Sequence, residues 1–130
     1  MCTLDVGQVW VCAAVGSAPP LMCVIGKIDA PPPSSGQPIV SLTVEPHPVA
    51  KKLGWPTVSH IPVFQDAFQS SGLALVKDGA TLGAAFTEGY IQWRQQFDEG
   101  KAGAFSEKVS AVYEILTSVS QGRNGSDQGV

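Results

Sequence analysis

The sequence predicts an α+β domain: a small, mostly antiparallel sheet followed by about three helices packed on one side of it. Three observations carry the prediction. All ten prolines fall between Pro19 and Pro62, so the chain divides into a half punctuated for strands and turns and a half free to form helices. The first half holds short runs of β-branched and apolar residues, one with a clean period of two. The second half repeats its apolar residues at three- and four-residue spacing, above all in FTEGYIQWRQQFDEGKAGAF (Phe86–Phe105).

Taken in order, GQVWVCAAV (Gly7–Val15) and LMCVIGKID (Leu21–Asp29) are rich in β-formers and flank the turn segment GSAPP. A turn centred on Ser17 and Ala18 sets Cys12 opposite Cys23 and Trp10 opposite Ile25. Alternation in both runs is imperfect, as in strands covered on both faces or wrapped into a barrel. APPPSSGQP (Ala30–Pro38) reads as an extended loop, because too little chain precedes it to fold alone. In PIVSLTVEP (Pro38–Pro46), Ile39, Ser41, Thr43 and Glu45 alternate with Val40, Leu42 and Val44, the pattern of a half-buried strand. HPVAKKLGWPT (His47–Thr57) is a loop or short helical turn. VSHIPVF (Val58–Phe64) is a further strand, whose Pro62 argues for an edge or a bulge.

After Phe64 the period changes. QDAFQSSGLALVKDG, with Phe68, Leu73, Leu75 and Val76 and with Gly79 as a stop, is expected to be a helix, although Gly72 lowers its propensity by about 1 kcal/mol. The central helix is expected over Glu88–Glu99, with Thr87 as N-cap, Glu88 in the first turn and Gly100 as the stop. Tyr90, Trp93 and Phe97 share one stripe with Arg94 turned off it, and the chain re-enters the core at Phe105. Ser106 is the expected cap of a last helix at about 107–119, whose apolar face is Val109, Val112, Tyr113, Ile115 and Leu116. The polar stretch 122–130 is expected to be a disordered tail, leaving 1–121 as a single domain.

Composition narrows the function classes. With 44% hydrophobic and 15% charged residues the chain is globular rather than disordered. A net charge of −3 makes nucleic acid an unlikely general partner, since that affinity comes largely from neutralised phosphates. No run approaches the roughly 18 apolar residues of a membrane span, and the N-terminus lacks a basic region and carries Asp5, unlike a signal peptide. Cys2, Cys12 and Cys23 are odd in number and lack CxxC spacing, so no metal knuckle or redox pair is expected and a reducing, cytoplasmic setting fits. No cofactor is expected either.

Few residues stand out chemically. His60 near a strand end has the chemistry of a general base or metal ligand, although a packed histidine with satisfied ring nitrogens is the commoner case. His47, between Glu45 and Pro48, reads as a solvated loop residue. No serine lies in a nucleophile elbow, and Gly83-Ala84-Ala85-Phe86-Thr87 lacks the glycines and lysine of a phosphate loop. Asp98 and Glu99 are sequence neighbours, which do not face one another on a helix. Trp55, in a proline-flanked loop beside Lys51 and Lys52, has the make-up of an aromatic-plus-cation surface for a peptide, nucleotide or partner. The blander alternative is a loop tryptophan tucked over the barrel mouth.

SHIP at Ser59–Pro62, with GYIQWRQQFDEGKAGAF at Gly89–Phe105, resembles the shared core of a group of small, functionally uncharacterised bacterial proteins. The resemblance covers about a third of the chain, implies membership of such a family and brings no activity with it. The layout of an opening Gly-Gln-Val-Trp strand, a hairpin, further strands and a closing helix looks like the SH3-like barrel of bacterial mRNA-interferase toxins. This chain has Pro19-Pro20 where those toxins carry Arg-Pro, and no arginine before Arg94. The resemblance implies a barrel over residues 7–64 as the alternative to an open sheet, and a small hydrolase acting on RNA with His60, Lys27 and Arg94 as contributors. The residues themselves favour a non-catalytic cytoplasmic interaction or regulatory module, binding through Trp55, Lys51, Lys52, His60 and Arg94. A protein partner or a homodimer fits either reading, because the apolar fraction is high for so short a chain.

Overall fold

The structure, a computed structural model, describes residues 4–14, 19–30 and 36–121. Cys2, the turn residues Ser17 and Ala18, and the expected tail lie outside the described residues. The elements run β1 (Val9–Cys12), β2 (Leu21–Asp29), β3 (Ile39–Pro46), α1 (Pro48–Lys52), β4 (Val58–Phe64), α2 (Gln65–Gln69), β5 (Ala74–Lys77), α3 (Ala84–Asp98) and α4 (Val109–Gln121). The five strands form one antiparallel sheet in the order β4-β3-β2-β1-β5. This is the α+β architecture predicted from the sequence, with β4 and β5 as the two edges of the sheet.

In the β1–β2 pair Trp10 lies opposite Cys23 and Cys12 opposite Leu21. That register is two residues from the expected one. Because side chains alternate with period two, a shift of two leaves each on its own face, and Trp10, Cys12, Cys23 and Ile25 still share the core. Pro62 is on an edge strand, as its missing N–H requires. The outward backbone of β4 is not left bare: Phe64 N–H donates to Phe105 C=O at 3.0 Å and Phe105 N–H to Pro62 C=O at 2.9 Å. The return of the chain at Phe105 therefore covers this edge.

The expected helix through Gly79 is corrected. It ends at Gln69, Gly72 adopts φ +69°, and Ala74–Lys77 becomes β5, paired with β1. A left-handed residue cannot propagate an α-helix. The β-forming Leu75 and Val76 instead satisfy backbone groups of β1 that would otherwise be an open edge, so tertiary context overrides local propensity. The central helix starts at Ala84, earlier than expected, with Gly83 as N-cap; Thr87 bonds back to Gly83 C=O rather than capping. Its end is as expected. Gly100 has φ +77°, its N–H donates to Phe97 C=O, and Lys101 N–H donates to Gln96 C=O, the paired bonds of a Schellman stop. The last helix begins at Val109 rather than after Ser106, and its Val109 N–H is capped from a distance by Ser71 Oγ at 2.9 Å.

The helices divide between the two faces of the sheet, which revises the expectation that they pack on one side. Val40, Leu42, Val44, Ile61 and Val63 form a core with Phe68 of α2 and with Val109, Val112 and Tyr113 of α4. The opposite parity of the same strands, Ser41 and His60, lies under α3. Close approach of α3 depends on Gly26, where an added Cβ would stand 2.2 Å from Phe86 Cζ. Gly26→Ala should therefore lower stability by about 1–3 kcal/mol, the usual scale of overpacking. Phe86→Leu in the same chain should recover part of that loss in urea unfolding. Equal losses with and without Phe86→Leu would assign the effect elsewhere.

Candidate functional site

Two places carry chemistry. The first is the seat of α3. Phe86, Tyr90, Trp93 and Phe97 recur at four-, three- and four-residue spacing, so their rings form one file along the helix, with consecutive centroids 6.2, 6.0 and 4.9 Å apart. His60 of β4 rises into this file, its ring centroid 5.6 Å from Phe86, 5.9 Å from Tyr90 and 5.5 Å from Trp93. Its Nε2 is 3.0 Å from Ser41 Oγ on the neighbouring strand. Burial holds the His60 pKa down at about 4, with the negative charge of Asp29 acting in the opposite direction.

Asp29 closes β2 and is the hub of the polar rim. Its Oδ1 accepts from Tyr90 OH at 2.8 Å and from Arg94 Nη1 at 3.3 Å, while Arg94 Nη2 reaches Asp98 at 3.2 Å. Asp29 Oδ2 is buried with no protein partner among the described residues. Burial first, then the bond to Asp29, pushes the Tyr90 phenol up to about 12. Lys27 Nζ stands 6.0 Å from the centre of the Tyr90 ring. The structure thus gathers Lys27, His60 and Arg94, the three residues of the hydrolase expectation, around Tyr90. Their setting does not favour that chemistry. Ser41, the hydroxyl facing His60, is wholly buried, and a histidine titrating near 4 is a weak base at neutral pH. Asp29 meets Tyr90 and Arg94 rather than bonding the imidazole.

The second place is the α1 end of the sheet. His47 caps α1: its Nδ1 accepts from Val49 N–H at 3.1 Å, which leaves the proton of the neutral ring on Nε2. Lys51 Nζ pairs with Glu45 at 3.2 Å, and Lys52 is exposed. A cleft of about 450 Å³ opens here among Val11, Leu21, Met22, Pro46, His47 and Lys51. A shallower one of about 370 Å³ shares Pro20 and His47 with it and is walled by Val49, Leu53 and Trp55. Trp55 is half-buried, stacked on Tyr113 with centroids 5.9 Å apart at 27°. Val49 and Leu53 are apolar yet 61% and 78% exposed.

Of the five expected binding residues, Trp55, Lys51 and Lys52 belong to the α1 end, whereas His60 and Arg94 belong to the α3 seat. The spacing rules missed Asp29 and Ser41. A lone carboxylate ending an apolar strand was the available signal for Asp29; nothing in the sequence marked Ser41. Among the described residues no group of three or more His, Cys, Asp or Glu could hold a metal ion. Cys12 and Cys23 are free and buried, and burial raises both thiols. Comparison with protein-family models, curated proteins and solved structures yields no match to this chain.

Arg94, expected to point off the aromatic stripe, instead has its guanidinium over the Phe97 ring, 5.4 Å from the centroid, and it holds a carboxylate whose side chain is only 11% exposed. Arg94→Ala should cost about 1–3 kcal/mol, because Asp29 keeps its charge and loses a partner. In an Asp29→Asn background the same change should cost less, about 0.5–1 kcal/mol for the remaining contact with Phe97, and urea unfolding of the double-mutant cycle measures the difference.

Proposed function

We propose that this protein is a non-catalytic interaction module that docks a protein partner on the α1 end of its sheet. The observation that carries the reading is a continuous apolar surface with a half-buried aromatic at its centre. Val49 and Leu53 project into solvent beside Trp55, and the two clefts flanking them share Pro20 and His47. Apolar side chains around an aromatic anchor, with charge at the margin, are the anatomy of a binding patch. The margin here is Lys51, Lys52 and Glu45, so it is more basic than the chain as a whole, whose net charge is −3. The matching partner is an apolar segment with an acidic flank. Two buried, unpaired thiols fit a cytoplasmic setting.

The stretch that resembles a small bacterial group is compatible with the same reading. Its His60, Pro62, Tyr90, Trp93, Phe97, Gly100 and Phe105 seat α3, stop it and cover the β4 edge. Those are architectural tasks, and they leave recognition to the α1 end.

Leu53→Asp adds a charge at a position 78% exposed and should leave the thermal midpoint unchanged. Peptide display selected on the native protein should enrich apolar sequences with acidic neighbours whose binding Leu53→Asp abolishes. Peptides that bind both forms equally would remove the patch from recognition. A mass by light scattering that falls from dimer to monomer in Leu53→Asp would make the occupant a second copy. Reproducible RNA cleavage lost in His60→Ala would replace the module with a hydrolase.

A further inference from the structure

We infer that α3 is a proton-gated cover: it seats on the sheet while His60 is neutral, and it lifts as a unit when His60 is protonated, leaving the core on the opposite face folded. The inference is independent of the α1-end surface and rests on how α3 is attached. The buried cluster that unites the sheet with α2 and α4 contains no residue of α3. On its own side α3 buries only Phe86 and Trp93 fully, with Tyr90 and Phe97 half-buried. Elements with few buried apolar contacts are the ones that open separately from the global unfolding reaction.

His60 is at the centre of that attachment. Aromatic rings from three turns of α3 surround it, and a Cβ added at Gly89 would stand 2.9 Å from the His60 Cβ, so the helix backbone rests directly on the histidine. The rings and the helix backbone displace part of the water an imidazolium requires. Ser41 Oγ is its one hydrogen-bond partner among the described residues. The charged and titratable groups around it are Lys27 and Asp29 from β2 and Tyr90, Arg94 and Asp98 from α3; β3 presents the neutral Ser41. Asp29 alone pulls toward a charged ring, and its Oδ1 is already engaged by Tyr90 and Arg94.

The direction of the pH effect follows from burial. A solvated histidine titrates near about 6.5, whereas the seated His60 is held at about 4. Between those values the lifted form binds a proton that the seated form refuses. The contribution of His60 to the seat is therefore complete above about pH 6.5 and declines as pH falls toward 4. Lifting uncovers Ile39, Phe86 and Trp93, all now buried, and so presents a second apolar surface under acid conditions.

Amide hydrogen exchange followed by NMR between pH 7 and 4.5 tests this, with rates corrected for intrinsic exchange. Protection of Tyr90–Phe97 should fall by up to about tenfold per pH unit below 6.5, while Leu42, Val44, Val112 and Tyr113 keep theirs. His60→Gln, which cannot charge, should make the α3 protection independent of pH. Should that variant fail to fold, the imidazole resonances of the native protein decide, since the chain has only two histidines. A His60 midpoint below about 5.5 supports the gate, and an ordinary value near 6.5 overturns it. Loss of protection in α3 and α4 together, or a pH dependence that survives in His60→Gln, would also overturn it.

Discussion

Burial of β3 on both faces is the constraint from which the rest of this structure follows. Its even residues Val40, Leu42 and Val44 are completely buried against α2 and α4, and its odd residues Ile39 and Ser41 are completely buried on the side of α3. A strand covered on both sides can hide apolar groups freely, but a buried hydroxyl must find a partner. Ser41 finds His60 on the adjoining strand. A histidine in that place is partly shielded from water, and three aromatic rings pack around it. The aromatic file of α3 and the glycine at 89 thus pack around the histidine that partners this serine.

The two faces consequently differ in kind. One is an aliphatic core closed by α4, where Tyr113 reaches Pro56 C=O and Trp55 lies against the tyrosine ring. Its stability comes from the removal of apolar area from water and needs no particular protonation state. The other is held by aromatic contact, one ion-pair hub and a neutral histidine, and depends on protonation states. Such a division lets one sheet present a fixed surface at the α1 end and a conditional one beneath α3.

How much of this was legible depended on whether the signal was local. The Gly100 stop and most of the apolar face of α4 rest on side-chain period and backbone sterics within a few residues, and these appear in the structure as read, Ile115 excepted, which is 52% exposed. The alternation of β3 marked a strand, but the half-buried strand it implied is buried on both faces, because α3 covers the side expected to meet water. The α2–β5 segment was misread because its fate is decided by β1, more than 60 residues away in sequence and offering an edge to be paired. The placement of α3 on the opposite face was likewise invisible. Nothing local states which of two buried faces a helix will choose, and the decisive features, the ring-sized gap over Gly26 and the seat on His60, exist only once β2, β3 and β4 are side by side.

The sequence by itself determined the class of the fold, the antiparallel sheet and the stripe of α3, because prolines, periodicity and turn glycines act through short-range geometry. It also singled out His60, Arg94, Lys27, Lys51, Lys52 and Trp55 as residues of interest. Only the tertiary structure decided their company: Lys27, His60 and Arg94 around Tyr90, and Lys51 and Trp55 at the far α1 end. The reason is physical. Ionisable and aromatic side chains carry no intrinsic preference for particular partners, and burial, charge and hydrogen bonding assign those partners only when the chain has packed.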